Sequence, residues 1–361
     1  MHDATNTARS TRLWGKRLAA LGALAGGLVM VAAASLGARA QPQRVYTREG
    51  APRLHIVTKV HTGVQPKSVE VSPDGQRVYV CNFGRPDRDN VKVYDADTLR
   101  ELGTVNFVGN AVESAFSPDG RTLYVSNFRA DKLEVIDRES LQVRGEVSLP
   151  GDPKTIVVSD DGSTIFVARW SGSTVTVIDA ATLHIVRELP TGNHPRGMVV
   201  FHDGRLMVAA MYDHIIHDFA PGASRETRRI ATCRFPRHLA LSPDQSRVFI
   251  ACSSNRSVEW RNVTTGRRIA FGAAGENPRS MALTTDGRYI ATADFDSSTV
   301  SLIDTVEMTH RRNPVAGAQR IVGLAVRPGT GPGIRVYATS WETGELYMLD
   351  TDAPAPAPAA P

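Results

Sequence analysis

Short runs of alternating apolar and polar residues, rich in Val, Ile, Tyr and Phe, recur from about residue 54 to residue 350. Alternation of this kind sends successive side chains to opposite faces, so each run predicts a β-strand with one buried side. The runs also keep an order. "PKSVEVS" (Pro66 to Ser72) predicts an inner strand, and "SPDG" a hairpin with Pro in a type I turn and Gly in the left-handed position after it. "RVYVCN" runs back, "VKVYD" adds a third strand and "TLRELGTVNFVG" a fourth. "SAFSPDGRTLYVSNFR" then repeats "VEVSPDGQRVYVCNFG" closely, and five fainter copies follow.

Aligned on the turn aspartates Asp74, Asp119, Asp161, Asp203, Asp244 and Asp286, the spacings are 45, 42, 42, 41 and 42. A period in the forties with four short strands per unit is the mark of propeller blades, and helical periodicity is missing. The ends settle the count. "RLHIVTKVHTGVQP" (Arg53 to Pro66) matches "TLHIVRELPTGNHP" (Thr182 to Pro195), so the repeat region opens with an outer strand that has no blade before it. It closes with "GIRVYATSWETGELYMLD", which has no outer strand of its own. The two ends complete one blade and remove the open sheet edges. The expected fold is all-β: a seven-bladed β-propeller of four-stranded antiparallel blades over residues 51–350, closed by the N-terminal outer strand. Blade 4 ("MYDHIIHDFAPGASRETRR") and blade 7, without the turn Asp, are the irregular units.

The P-x-x-hydrophobic start, "SPDG", the "YVCN" and "YVSN" strand ends and V-x-V-I-D resemble the YVTN repeat of the YncE-like seven-bladed propellers of exported bacterial proteins. The resemblance covers about residues 51 to 350. It implies the fold and says little of function, because the architecture hosts binding proteins, hydrolases, lyases and redox proteins alike.

Charge changes the picture less than the total suggests. Arg9, Arg12, Lys16 and Arg17 precede an apolar run, Leu18 to Leu36, and "ARA" (Ala38 to Ala40) offers small residues for cleavage before Gln41. Residues 1–40 are therefore expected to be a secretory signal and 41–50 an extension, with an uncleaved anchor as the alternative. The chain carries +5, but loss of this segment leaves 37 basic against 36 acidic residues. Nucleic acid binding has no global charge behind it. The expectation is a periplasmic or secreted monomer with no stable membrane insertion after cleavage, and a disordered Pro/Ala tail at 351–361.

Strand b ends, and strand a begins, on one face near the central channel. At the end of strand b the pairs are Asn82-Phe83, Asn127-Phe128, Arg169-Trp170, Met211-Tyr212, Cys252-Ser253, Asp294-Phe295 and Ser340-Trp341. The second position is aromatic in six of seven, while the first varies from blade to blade and is expected to line the mouth. After the Pro of strand a comes a base: Lys67, Lys154, Arg196, Arg237 and Arg279, with Arg320 close to the equivalent place and Val112 standing in blade 2. These bases either pair with neighbouring acids or form a positive funnel suited to carboxylate or phosphate. Aromatics beside cations also suit single-stranded nucleic acid, but the positions form a ring and not a groove.

The expected function is binding of an anionic small molecule, a peptide or a partner protein at this mouth, without catalysis. The alternative is a lactonase- or lyase-type enzyme drawing on His194, His238, Glu113 or Asp294. No cofactor is expected, since no C-x-x-C-H haem motif occurs. No metal is expected either: His214 and His217, near His194 and Asp213, are spaced so that a strand turns the two rings apart. Cys233 and Cys252 fall on one face of blade 5 and are a candidate disulfide, left open against free thiols.

Overall fold

A computed structural model describes residues 43–44, 49–328 and 333–351. The expected secretory segment and nearly all of the tail lie outside the described residues. Seven antiparallel sheets of four strands form the fold, and the described residues contain no helix. In blade 1 the strands are a (Pro66–Val71), b (Arg77–Asn82), c (Val91–Asp95) and d (Glu101–Val105), hydrogen-bonded in that order. The strands a of blades 2 to 7 are Ala111–Phe116, Pro153–Val158, Pro195–Val200, Pro236–Leu241, Pro278–Leu283 and Ile321–Val326. Successive strands a pack against one another, and that of blade 7 packs against that of blade 1.

The ring closes as the ends of the repeat require. Leu54–His61 runs antiparallel along Glu345–Thr351, from Leu54 opposite Thr351 to His61 opposite Glu345, as the outer strand of blade 7. Strand order thus extends to Thr351, the first residue of the expected tail. Sequence periodicity did not disclose a further strand: Gln43–Arg44 adds parallel to Arg268–Ala273, the outer strand of blade 5.

Apolar contacts explain why no copy stands alone. Each core cluster is shared between neighbours: Val78 and Val80 of blade 1 meet Tyr337 and Leu346 of blade 7, while Tyr79 and Val93 meet Leu123 and Ile136 of blade 2. No sheet covers both of its faces by itself, so stability resides in the interfaces between units.

The turn aspartates are local fasteners. Asp74 accepts the Ser72 hydroxyl at 2.6 Å and the Gln76 amide at 3.1 Å, and Gly75 takes the left-handed φ of 71°. The same hydroxyl-to-Asp bond recurs at Asp119, Asp161, Asp244 and Asp286.

Strand Leu54–His61 carries the closure, so its deletion should expose the edge of Glu345–Thr351 and one face of blade 7. The expected outcome is loss of a single cooperative calorimetric transition, with aggregation visible by light scattering. An unchanged melting profile would contradict this account of closure.

Candidate functional site

In every blade the pairing of strand a with strand b slips just after the first residue, as between Pro66 (opposite Asn82) and Ser68 (opposite Cys81). Such a bulge bends the strand and re-aims its side chains. It falls on the residue after the Pro, the position of the base. The loop before strand a is tied to the end of strand b by the aromatic's own amide: Phe83 donates to Gln65 O at 3.0 Å, Trp170 to Asp152 O at 3.0 Å and Phe295 to Asn277 O at 3.2 Å.

The first-position side chains turn inward, which corrects the expectation that they line the mouth. Asn82 is 1% exposed and donates to Thr62 O and Asp89 O. Asn127 donates to Val108 O and Glu134 and accepts from the Asn110 amide. Asp294 is fully buried, with Thr292, Thr299 and Ser301 hydroxyls donating to it at 2.8, 2.9 and 2.6 Å. Arg169 reaches Pro150 O, Thr174 and Glu188. These residues fix loop carbonyls and hydroxyls that burial would otherwise leave without partners.

The aromatic second positions meet as two arcs. Phe83 lies 5.9 Å from both Phe128 and Trp341, which spans blades 7, 1 and 2. Trp170 and Tyr212 are 6.0 Å apart, with His194 4.5 Å from each. Blade 5 offers Ser253, but Phe235, from the loop before its strand a, stands 5.5 Å from Tyr212 and continues the arc. Repeat alignment missed Phe235 because it occupies a loop position that no other blade fills with Phe, Tyr or Trp.

The cations are threaded through these rings. Lys67 Nζ lies 5.6 Å from the Trp341 centroid and Arg279 Cζ 3.3 Å from that of Phe295. Lys154 Nζ lies 3.6 Å from Trp170 and 5.0 Å from Phe128, and Arg196 Cζ 5.8 Å from the same Trp170. Arg320 is not the seventh member. Ile321 pairs with Ser340 as Pro66 pairs with Asn82, so Val322 holds that position and Arg320, two residues before it, pairs with Glu342 at 3.0 Å. Among the described residues a single ion pair serves the five bases, Arg196 with Glu113 at 3.1 Å. Arg196 Nη1, Arg237 Nε and Arg279 Nε are buried without a hydrogen-bond partner.

The model of the YNCE-like beta-propeller family matches residues 54–205. The chain is a seven-bladed β-propeller whose residues 54–205 are similar to the YncE-like propellers. Among solved structures, Kuenenia stuttgartiensis hydrazine synthase aligns over 82% of this chain and 99% of its own with a TM-score of 0.71. At 20% identity that likeness concerns the fold alone. No curated protein matches the chain.

In this ring the bases are held against their own charge. Burial pulls the Lys154 ammonium down to about 6, helped by the charges of Arg196 and Arg237. Lys67 is lowered well below the ordinary lysine range by burial and then by Arg196 and Arg237. Arg237 and Arg279 are lowered by burial and by other arginines, but a guanidinium stays protonated at neutral pH. Relief therefore comes from the lysines, which release protons first.

Two cavities flank the cluster. One of about 430 Å3 opens on the aromatic side between Tyr212, Phe235, Arg237, Ser253, Arg256 and Asp296. The other, about 750 Å3, is on the turn side, lined by Glu70, Glu113, Thr155 and His238 with Pro73, Pro118 and Pro243. Glu70 makes no hydrogen bond or ion pair among the described residues, and burial followed by the Glu113 charge pushes its carboxyl up to about 8. Burial lowers His238. Asp294, the other acid–base candidate, is pushed up to about 6 by burial, with its oxygens already occupied by hydroxyls.

The histidines of blade 4 hold loops. His217 Nε2 accepts the Gly192 amide at 3.0 Å while Nδ1 faces Glu226, and His214 Nδ1 accepts the Phe235 amide at 3.1 Å. Cys233 and Cys252 are joined as a disulfide two residues before Phe235, leaving buried Cys81 as the free thiol. Among the described residues the one cluster of metal-type ligands is Cys233, Cys252 and Glu259, and its two sulfurs are bonded to each other.

The disulfide spans 19 residues. A bridge over a loop of this size contributes about 3 kcal/mol. Cys233→Ala with Cys252→Ala should lower stability by that order in denaturant titration. Thiol titration of the unfolded wild type should find one thiol, and a count of three would remove the bond.

Glu70 yields a pH prediction. Folding raises its pKa, so its contribution to stability is fully present below about pH 4 and is lost as pH rises through about 8. Glu70→Gln should melt higher than wild type at about pH 9 and lose that advantage in acid. Parallel melting curves across the whole range would contradict the placement of this carboxyl.

Proposed function

We propose that this is an exported propeller that binds a small anionic molecule, carrying a carboxylate or phosphate, from the aromatic side of its channel. The observation that carries the reading is the charge imbalance: five bases converge, one acid pairs with one of them, and three guanidinium nitrogens are buried without partners. Buried charge without a partner is unfavourable, and an anion would supply both the charge and the missing acceptors. Aromatic faces around the mouth suit an apolar or planar body on the ligand. A peptide or protein partner would engage the same cations through a carboxylate side chain or terminus.

Binding, rather than turnover, fits the way the candidate acid–base groups are used. Asp294 holds hydroxyls, and Glu113 holds Arg196. Export to the periplasm or beyond is supported by the basic and apolar start of the sequence, and the disulfide accords with an oxidising compartment.

Arg237 both lines the mouth cavity and carries an unpartnered nitrogen. Arg237→Gln should weaken anion binding about 10- to 100-fold, as expected for loss of a charge-assisted hydrogen bond. The ligand would come from a thermal-shift panel of carboxylates and phosphates, with affinities then measured by calorimetry. Equal affinity in the variant would place the anion elsewhere.

A further inference from the structure

Three features together mark Lys154. Its Nζ has no ion pair or hydrogen bond among the described residues and lies between two ring faces, 3.6 Å from the Trp170 centroid and 5.0 Å from that of Phe128. It shares the Trp170 face with Arg196, whose Nη2 is on Glu113 and whose Nη1 has no partner. Arg237, with its own unpartnered nitrogen, also acts on it through its charge. The ring faces favour an ammonium ion. Burial and the two guanidiniums oppose it more strongly and draw the group down to about 6, so at neutral pH the free amine predominates. A desolvated lysine beside other cations is an activated nucleophile for carbonyl carbon.

Guanidiniums that suit a carboxylate and a free amine next to them describe one class of ligand. We propose that Lys154 condenses with the carbonyl of a small oxo-carboxylate, an aldehydic or 2-oxo acid, whose carboxylate is held by Arg196 and Arg237. This rests on the anion-binding reading and names the kind of anion.

The step balances without an oxidant or a reductant. The amine lone pair forms the C–N bond while the carbonyl π electrons move to oxygen, which takes up a proton. Nitrogen then expels that oxygen as water, with the second amine proton leaving on it, and a C=N bond remains. Trp170 and Phe128 wall the amine on two sides and limit the approach of water that would reverse the reaction. The carboxylate brings the negative charge that the arginines lack. Lys67 serves as an internal comparison: it also has no acid partner in an ion pair, but its nitrogen lies 5.6 Å from the one ring it faces.

Reductive trapping tests this on the full chain. Glyoxylate with sodium cyanoborohydride at neutral pH should leave a carboxymethyl group on Lys154, located by peptide mass spectrometry. The modification should form about 100-fold faster than on surface lysines, whose amines are almost all protonated at that pH. Arg237→Gln should remove most of that advantage. The wild-type map decides the matter even if Lys154→Arg fails to fold. Glycolate, which has the carboxylate but no carbonyl, separates the two readings by calorimetry. Glycolate binding with no preference for Lys154 in the trapping would overturn the imine and leave anion binding standing. Absence of binding by either acid, with indiscriminate trapping, would overturn both.

Discussion

Leu54–His61 hydrogen-bonds along Glu345–Thr351, and this ladder joins the two ends of the repeat across nearly the whole sequence. Everything else in the ring presupposes it. Each blade covers its faces with the next, so an unclosed array would leave two sheets with an uncovered side. Closure also sets the central geometry, because seven strands a can converge on one channel only when the last packs against the first. A pairing of such long sequence separation carries a large loop-closure entropy cost, which the contacts around the ring offset.

Convergence has an electrostatic consequence. One bulge, repeated in every blade, turns the residue after the Pro toward the axis, and in five blades that residue is a base. A single cation there would be a surface detail. Five in a ring repel one another in a desolvated space, and one glutamate answers one of them. The strain is spread unevenly because the side chains differ. Arginines keep their protons and stack on rings, as Arg279 does on Phe295, whereas lysines can shed theirs. The ring is thereby less charged than its composition implies, and a bound anion would favour return of those protons.

Much of this was legible in the sequence, for a physical reason. A period in the forties and alternating runs constrain the fold strongly, and the matching of Arg53–Pro66 to Thr182–Pro195 carries the closure in the sequence itself. The five bases at strand a also follow from alignment alone. Side-chain direction at the ends of strands did not. Asn82, Asn127 and Asp294 look exposed in a repeat diagram, yet each turns into the protein to satisfy loop groups, because a strand end is where alternation gives way to local hydrogen bonding. Arg320 misled by two residues, since register in blade 7 is set by Ile321 opposite Ser340. Glu70 and Phe235 were invisible for a third reason: each departs from its equivalents in other blades, and a repeat highlights what recurs.

Departures from the repeat are where this molecule differs from a generic ring of blades. The inter-blade apolar positions can exchange one aliphatic for another at small cost in packing. A lone carboxyl in the turn-side channel, an aromatic supplied by a loop, and a lysine between two rings cannot be derived from the blade architecture, and each makes burial of a polar group harder. Stability alone would favour an aliphatic at Glu70, where the equivalent residues are Ala115, Val157, Val199, Ala240, Ala282 and Ala325. The same holds for the bases, since Val112 and Val322 show that the ring accommodates valine at that position. Two blades out of seven take the apolar solution, and five carry a base that the fold does not require, with one glutamate pairing with one of them. That asymmetry points to a ligand more directly than the presence of a cavity does, because a propeller encloses a channel whatever its side chains are.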